Sequence, residues 1–136
     1  MSYFKTEVGK QEILDLYHKK LEELNIEYEY TKVETNIGTT NIICSGDPEN
    51  PPIILVHGSN GCAPIAMETY PSLSGHFRVY AIDVPAQPNK SAETRLSMKD
   101  DSYGRWMNEI MQQLHIENAR MIGFSFGGLV ILKTLE

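Results

Sequence analysis

A serine lies between glycines near the end of the chain, in the run Gly123-Phe124-Ser125-Phe126-Gly127. A serine hydroxyl attacks an ester carbonyl when a base takes its proton and backbone N–H groups hold the charge that develops on oxygen. The Gly-x-Ser-x-Gly pattern is typical of a sharp turn from a strand into a helix, because small residues let backbone segments approach closely. The spacing therefore predicts Ser125 as a nucleophile. The alternative is a glycine-rich turn with an N-capping serine.

The developing oxyanion needs two backbone donors, and two loops offer them. The residue after the nucleophile supplies one, the backbone N–H of Phe126. The loop after the apolar run 53–56 supplies the other, with the backbone N–H of Ser59 as first candidate and that of Asn60 as the alternative. His57 lies in the same loop and could be a base, but we expect it to bond backbone groups.

Two helices and a hairpin precede or connect the segments that position these residues. Apolar residues recur at helical spacing over residues 8–24 and over about 99–115. Residues 27–35 and 39–45 have β-rich composition around an Asn-Ile-Gly turn and predict a hairpin. In the second helix, Trp106, Met107 and Met111 are interpreted as core residues and not as a ligand site.

Three short apolar runs predict strands that are covered on both faces, at residues 53–56, 77–82 and 119–122. A helix is expected after the serine turn, over residues 129–135. The order hairpin, strand, helix, strand, helix, strand, helix predicts an α/β fold with a mostly parallel sheet and helices on both faces. Active sites of such sheets lie at the carboxyl ends of the strands, where both candidate loops begin.

Composition and charge limit the classes of binding partner that the chain is expected to have. The chain has 136 residues, 41% of them hydrophobic, and a net charge of −6, which disfavours nucleic acid and anionic membranes as partners. No apolar run is long enough to span a bilayer, and residues 1–10 lack a secretion signal. Cys44 and Cys62 have neither metal-ligand spacing nor a disulfide framework, so we expect reduced thiols, a cytoplasmic protein, no metal and no cofactor.

Three segments carry a family resemblance: Val56-His57-Gly58, residues 79–83 and residues 123–128. They resemble successive landmarks of the α/β-hydrolase superfamily, and within it the chain is similar to small bacterial carboxylesterases with an extra N-terminal helix. The resemblance covers roughly residues 10–136. It implies the N-terminal half of that fold and a serine hydrolase that cleaves small-molecule carboxylic esters through an acyl-enzyme, with Ser125 as nucleophile and Ser59 and Phe126 as oxyanion donors.

The chain departs from the superfamily pattern in two places. Many relatives have an Asp-x-Pro-Gly-x-Gly-x-Ser loop, whereas residues 83–91 here keep Asp, Pro and Ser but lose both glycines. The superfamily also places its acid and its His after the serine. Here the eleven residues after Ser125 contain neither His nor Asp, and Glu136 is expected to face away from the nucleophile.

These departures predict one incomplete domain over residues 1–136, with the helix at 8–24 and the sheet and nucleophile turn at 27–136. Alone, such a chain is expected to be nearly inactive as an esterase. The alternative is a non-catalytic binding or interaction fragment that keeps the hydrolase fold. The strand 119–122 would be an exposed edge and would favour self-association. The N-terminal helix is expected to pack on the sheet, with a role as part of a lid as the alternative.

Overall fold

A computed structural model describes residues 4–135, which form one five-stranded sheet and four α-helices. A single 3₁₀ turn, Leu73–Gly75, precedes the fourth strand. In chain order the elements are α1 (Glu7–Glu23), β1 (Tyr28–Thr35), β2 (Gly38–Ser45), β3 (Pro52–Val56), α2 (Ala63–Thr69), β4 (Arg78–Ile82), α3 (Ser102–Gln113), β5 (Arg120–Gly123) and α4 (Phe126–Leu135).

The sheet has the strand order β1-β2-β4-β3-β5. The hairpin β1–β2 and the pair β2–β4 are antiparallel, while β3 is parallel to both β4 and β5. Val56 is paired with Ile82 on one side and with Gly123 on the other. The three parallel strands therefore end at one level, and the loops that follow them begin side by side.

Helices cover both faces of the sheet. One buried cluster joins α1 and α2 to strand residues such as Leu55 and Ala81, and the other joins α3 and α4 to Ile54, Val56 and Ile82. Alternate strand residues point to opposite faces. Because both faces are covered, β3 is apolar throughout and β4 is apolar after Arg78, as the runs in the sequence predicted.

The face of α3 that was predicted to be core is buried. Trp106 and Met107 are fully buried, and Met111 packs against the same cluster from a partly buried position. The Trp106 indole N–H donates to Thr40 Oγ1 at 2.8 Å, which satisfies its one polar atom.

Some predicted boundaries were wrong by a few residues. The helix α3 starts at Ser102 instead of about 99, because the Asp100 carboxylate accepts the Ser102 N–H at 2.9 Å and forms a local turn. The helix α4 starts at Phe126 instead of 129. There the N–H of Gly127 and of Gly128 bond the carbonyls of Phe124 and Ser125, so both glycines belong to the first helical turn.

Two further findings concern the cysteines and the length of the helices. Cys44 and Cys62 are free and buried. Within residues 4–135, no helix is long and apolar enough to cross a membrane.

Candidate active site

Ser125 lies in the two-residue turn between the end of β5 and the start of α4. Its side chain is exposed, and its backbone has φ +52°, in the left-handed region. A non-glycine residue in that region costs about 1–2 kcal/mol, so the surrounding structure must enforce it. The strain lifts the hydroxyl out of the sheet edge at the start of a helix, as the glycine spacing predicted for a nucleophile turn.

The glycines on either side of the serine allow this turn because no side chain fits there. A Cβ at Gly127 would lie 2.1 Å from the Val56 carbonyl oxygen, and one at Gly123 would lie 2.5 Å from the backbone nitrogen of Gly128. The start of α4 therefore packs directly against the end of β3 and against its own incoming strand.

Two phenylalanines hold the turn from opposite faces of the sheet. Phe124 packs with the cluster under α1 and α2, and its ring lies 6.1 Å from that of Tyr70. Phe126 packs with the other cluster, edge-on to Tyr103 at 5.6 Å. Ser125 lies between two partly buried anchors that limit its freedom to relax.

The loop after β3 lies directly against the serine. A Cβ at Gly58 would lie 3.1 Å from the Phe124 carbonyl oxygen and 3.9 Å from Ser125 Cβ. The Phe124 N–H in turn bonds the Val56 carbonyl at 3.0 Å. The sequence separates these two segments by more than sixty residues, and the parallel register of β3 and β5 brings them into contact.

The backbone donors of this loop differ in availability. The Asn60 N–H donates to Gln87 Oε1 at 2.6 Å, so its hydrogen is already engaged. Among residues 4–135, no protein acceptor bonds the backbone N–H of Ser59 or of Phe126. Phe126 directly follows Ser125, and Ser59 follows Gly58, the residue that lies against Ser125. A backbone N–H without a protein acceptor can bond a substrate oxygen, which favours Ser59 over Asn60 as the candidate second donor.

His57 is buried and bonds backbone groups, as expected from the sequence. Its Nδ1 lies 2.7 Å from the Gly58 carbonyl oxygen, while Nε2 accepts the Val84 N–H at 2.9 Å. The carbonyl needs a donor and the N–H needs an acceptor, so the ring is the neutral Nδ1–H tautomer. Burial lowers the pKa of His57, against opposing contributions from Gly58 and Asp83. This ring positions the two loops and does not face Ser125 as a base.

A buried polar network under the site was not predicted. Asp83 follows β4 and is fully buried; its oxygens accept the Ala63 N–H at 2.8 Å, the Tyr17 hydroxyl at 2.8 Å and the Asn41 amide at 3.0 Å. Desolvation raises the pKa of Asp83, and these hydrogen bonds oppose that rise. The network fixes α1, β2 and the start of α2 around the end of β4. The only signal in the sequence is an Asp directly after an apolar strand.

The loop that lost both family glycines keeps a glycine-like backbone. Ala86 has φ +61°, although an alanine is strained there. Asn89 compensates: its amide donates to the Val84 carbonyl at 2.9 Å, and its Oδ1 accepts the Ser91 N–H at 3.0 Å. Polar side chains therefore hold a conformation that glycine would adopt without help.

A cavity of about 460 Å³ opens beside the loop after β3 and the loop after β4. Its walls are the start of α1 and the loop after β4, with Asn60 and Gln87 on the side of the candidate oxyanion loop. The first turns of α1 therefore border a cavity, whereas Tyr17 and Leu21 further along pack into the core. The predicted packing of this helix is confirmed for its second half.

Residues 4–135 provide no base that bonds Ser125. Its hydroxyl makes no hydrogen bond with residues 4–135, and His57, the one buried histidine in that range, has both ring nitrogens engaged. Glu136 lies outside the described residues.

Comparison with known proteins identifies the family of this fold. The family model of the alpha/beta hydrolase fold matches residues 51–136. Carboxylesterase YbfK of Bacillus subtilis (strain 168) is 32% identical over 119 residues, which are 88% of this chain and 40% of that protein. The uncharacterized carboxylesterase nap of the same organism is 32% identical over 103 residues, 76% of this chain and 34% of that protein.

A solved structure is also similar. The crystal structure of naproxen esterase from Bacillus subtilis superimposes with a TM-score of 0.85 at 27% identity, over 96% of this chain and 45% of that chain. The chain spans less than half the length of these relatives. Since the family match covers most of the chain and includes both candidate loops, the protein belongs to the alpha/beta hydrolase fold family and resembles small bacterial carboxylesterases.

Proposed function

We propose that Ser125 is the nucleophile of a carboxylic-ester hydrolase, with the backbone N–H groups of Ser59 and Phe126 as its oxyanion hole. One observation carries this proposal. An exposed serine is held at φ +52° against the loop after β3, and the N–H groups of Ser59 in that loop and of Phe126 have no acceptor among residues 4–135. Left-handed residues also occur in other turns of this chain, such as Ala86, but at Ser125 the strain coincides with an exposed hydroxyl that projects from the sheet, as a nucleophile requires.

In this mechanism Ser125 Oγ forms a bond to the ester carbonyl carbon and loses its proton to a base. The carbonyl oxygen takes the negative charge and accepts hydrogen bonds from the two N–H groups. Collapse of the intermediate expels the alcohol, which takes up the proton, and leaves the acyl group on Ser125. Water then attacks the acyl carbon by the same route and releases the acid. Each oxyanion donor is worth about 2.7–4 kcal/mol of transition-state stabilisation.

The base and its acid partner are proposed to come from chain beyond residue 136. Its relatives are more than twice as long as the aligned segment, and no histidine among residues 4–135 bonds Ser125. Without a base the serine hydroxyl stays protonated near neutral pH. We therefore expect the 136-residue chain alone to retain only the roughly 10³–10⁴-fold enhancement over water that an oxyanion hole and binding can provide.

The proposed substrates are small carboxylic esters, in line with the two relatives named as carboxylesterases. The cavity beside Asn60 and Gln87 is the proposed place for one side of such an ester, since a volume of about 460 Å³ suits a small ligand. A cytoplasmic location remains a prediction from composition.

The test uses the protein at the length its own gene encodes. A fluorophosphonate probe should label it, p-nitrophenyl acetate should be hydrolysed, and Ser125→Ala should abolish both. Ser97→Ala, at an exposed serine away from the site, is the matched control and should change neither. Labelling that persists in Ser125→Ala would reject Ser125 as nucleophile. A folded protein that is neither labelled nor active would favour the non-catalytic binding alternative.

A further inference from the structure

Three lysines from different parts of the chain meet at a second cavity, on the outer side of the loop after β4. Lys10 belongs to α1, Lys32 to β1 and Lys90 to the loop after β4. The cavity has a volume of about 420 Å³, and its remaining walls include Leu14, Tyr30 and the backbone around Ser91. The chain as a whole has a net charge of −6, so this cluster of lysines has the opposite sign to the protein's overall charge.

The Lys90 side chain is held in place by aromatic rings. Its ammonium lies 4.5 Å from the centre of the Tyr30 ring and 5.5 Å from that of Tyr17. Tyr17 is itself fixed by its hydrogen bond to Asp83. The backbone N–H of Lys90 donates to the same carboxylate at 3.3 Å. The ammonium is therefore preorganised by cation–π contacts and by the buried network behind it.

The charges around the cavity are not balanced. Glu93 is the one acidic residue in the lining, and it pairs with Lys10 at 3.7 Å. Within residues 4–135, Lys32 and Lys90 form no ion pair with a surface carboxylate. Desolvation lowers the pKa of Lys90 and the charge of Lys32 lowers it further, while Asp83 opposes both. The neighbouring ammonium groups repel one another, and a bound anion would relieve that repulsion.

We propose that this cavity binds a small organic dianion of the phosphate-monoester class. Three lysines and one glutamate leave two net positive charges at the lining, which matches a dianion better than a single carboxylate. Ammonium groups are point-charge donors that suit phosphate oxygens. The apolar side chains of Leu14 and Phe4, with the Tyr30 ring, provide a surface for the organic part. The site lies outside the proposed ester-hydrolase centre and does not depend on Ser125.

The test is calorimetric titration of the protein, at the length its own gene encodes, with phenyl phosphate at pH 8 and low ionic strength. A phosphate monoester is a dianion there, since its second pKa is about 6. We expect saturable binding in the millimolar range or tighter. Benzenesulfonate, a monoanion of similar shape, should bind more weakly, and inorganic phosphate should lose the contribution of the apolar walls.

Reversing the charge of one lysine inside the cavity and of one outside it tests whether the anion binds at this cavity. Lys32→Glu should weaken phenyl phosphate binding by at least about tenfold, since it removes one charge-assisted contact and adds repulsion. Lys19→Glu makes the same change of net charge on the exposed side of α1, outside the cavity, and should have little effect. Far-UV circular dichroism checks that both variants are folded, and Ser125→Ala should bind like the unmodified chain.

Three results would overturn the proposal. One is equal weakening by Lys32→Glu and Lys19→Glu, which would indicate a response to net charge alone. Another is amide NMR shifts on titration that lie away from residues 89–93. The third is the absence of saturable binding at about 10 mM phenyl phosphate, a concentration above the expected dissociation constant.

Discussion

The backbone N–H of Asn60 donates a 2.6 Å hydrogen bond to the side-chain oxygen of Gln87. The bond joins the loop after β3 to the loop after β4, two segments that both start at the carboxyl edge of the sheet. It engages one donor of the candidate oxyanion loop and leaves the neighbouring Ser59 N–H without an acceptor in residues 4–135. Asn60 itself has φ +59°, so the contact also holds a strained backbone. We therefore expect Gln87 to act on the proposed site through the loop, as a positioning residue.

Loss of this bond should slow catalysis without unfolding the protein. A net hydrogen bond is worth about 0.5–1.5 kcal/mol, so we expect Gln87→Ala to lower kcat for p-nitrophenyl acetate several-fold in the full-length protein. Gln87→Glu keeps an acceptor oxygen and should recover most of the loss. Gln112→Ala, at an exposed position on α3, is the control. If Gln87→Ala changes KM alone, the residue lines the substrate cavity but does not position the oxyanion loop.

The close approach of α4 to β3 should make one glycine irreplaceable and its neighbour tolerant. A Cβ at Gly127 would meet the Val56 carbonyl at 2.1 Å, whereas the nearest atom to a Cβ at Gly128 lies at 3.9 Å. Gly127→Ala should therefore lower the free energy of unfolding by about 3 kcal/mol or more, in the upper range for overpacking, while Gly128→Ala changes it little. Urea unfolding measures both. Equal stability of the two variants would contradict the packing of this turn.

Strain at the serine predicts a difference between two inactive variants. Ser125→Gly removes the side chain that opposes φ +52°, whereas Ser125→Ala keeps a Cβ in that position. The glycine variant should unfold at higher urea, with a gain of about 1 kcal/mol over the alanine variant once the entropy of glycine is counted. A more stable alanine variant would mean that the turn relaxes when the hydroxyl is removed.

The buried ring of His57 should make stability fall in mild acid. Burial lowers the pKa of His57 below its ordinary 6.5, so between the two values the unfolded chain binds a proton that the folded chain does not. The free energy of unfolding should therefore decrease as the pH falls below 6.5. Nitrogen NMR of the imidazole should show the neutral Nδ1–H tautomer at pH 6 in the folded protein. An imidazolium signal for His57 at that pH would refute this.

The strand β5 forms an edge of the sheet, and this edge is where we expect chains to associate. Within residues 4–135, β5 pairs only with β3, and the exposed residues Leu129, Leu132 and Leu135 lie on the adjoining helix α4. An unpaired apolar edge promotes pairing between chains. We expect the 136-residue chain to dimerise or aggregate at high concentration, and Leu132→Lys, at an exposed position on α4, to reduce this. Light scattering that shows a monomer throughout would count against association through residues 119–122.

The elements and the serine turn could be predicted from the sequence because their signals are local. Helical periodicity defined α1 and α3, continuous apolar runs gave the parallel strands, and the glycine spacing placed Ser125 between strand and helix. Helix boundaries were predicted less accurately than the helices themselves. A local hydrogen bond such as that of Asp100 can set the start of a helix where the hydrophobic pattern does not change. The role of His57 as a backbone partner followed from its place after a strand.

The relationships across the site came only from the tertiary structure. Asn60 bonds Gln87, Asp83 bonds a tyrosine 66 positions earlier, and three lysines from separate elements share one cavity. No periodicity or motif encodes such contacts, because they depend on strand register and on how helices pack against the sheet. By itself the sequence determined the fold class and the candidate nucleophile. Tertiary packing decided which backbone donors stay free and where buried charge is balanced, since both depend on neighbours that are distant in the chain.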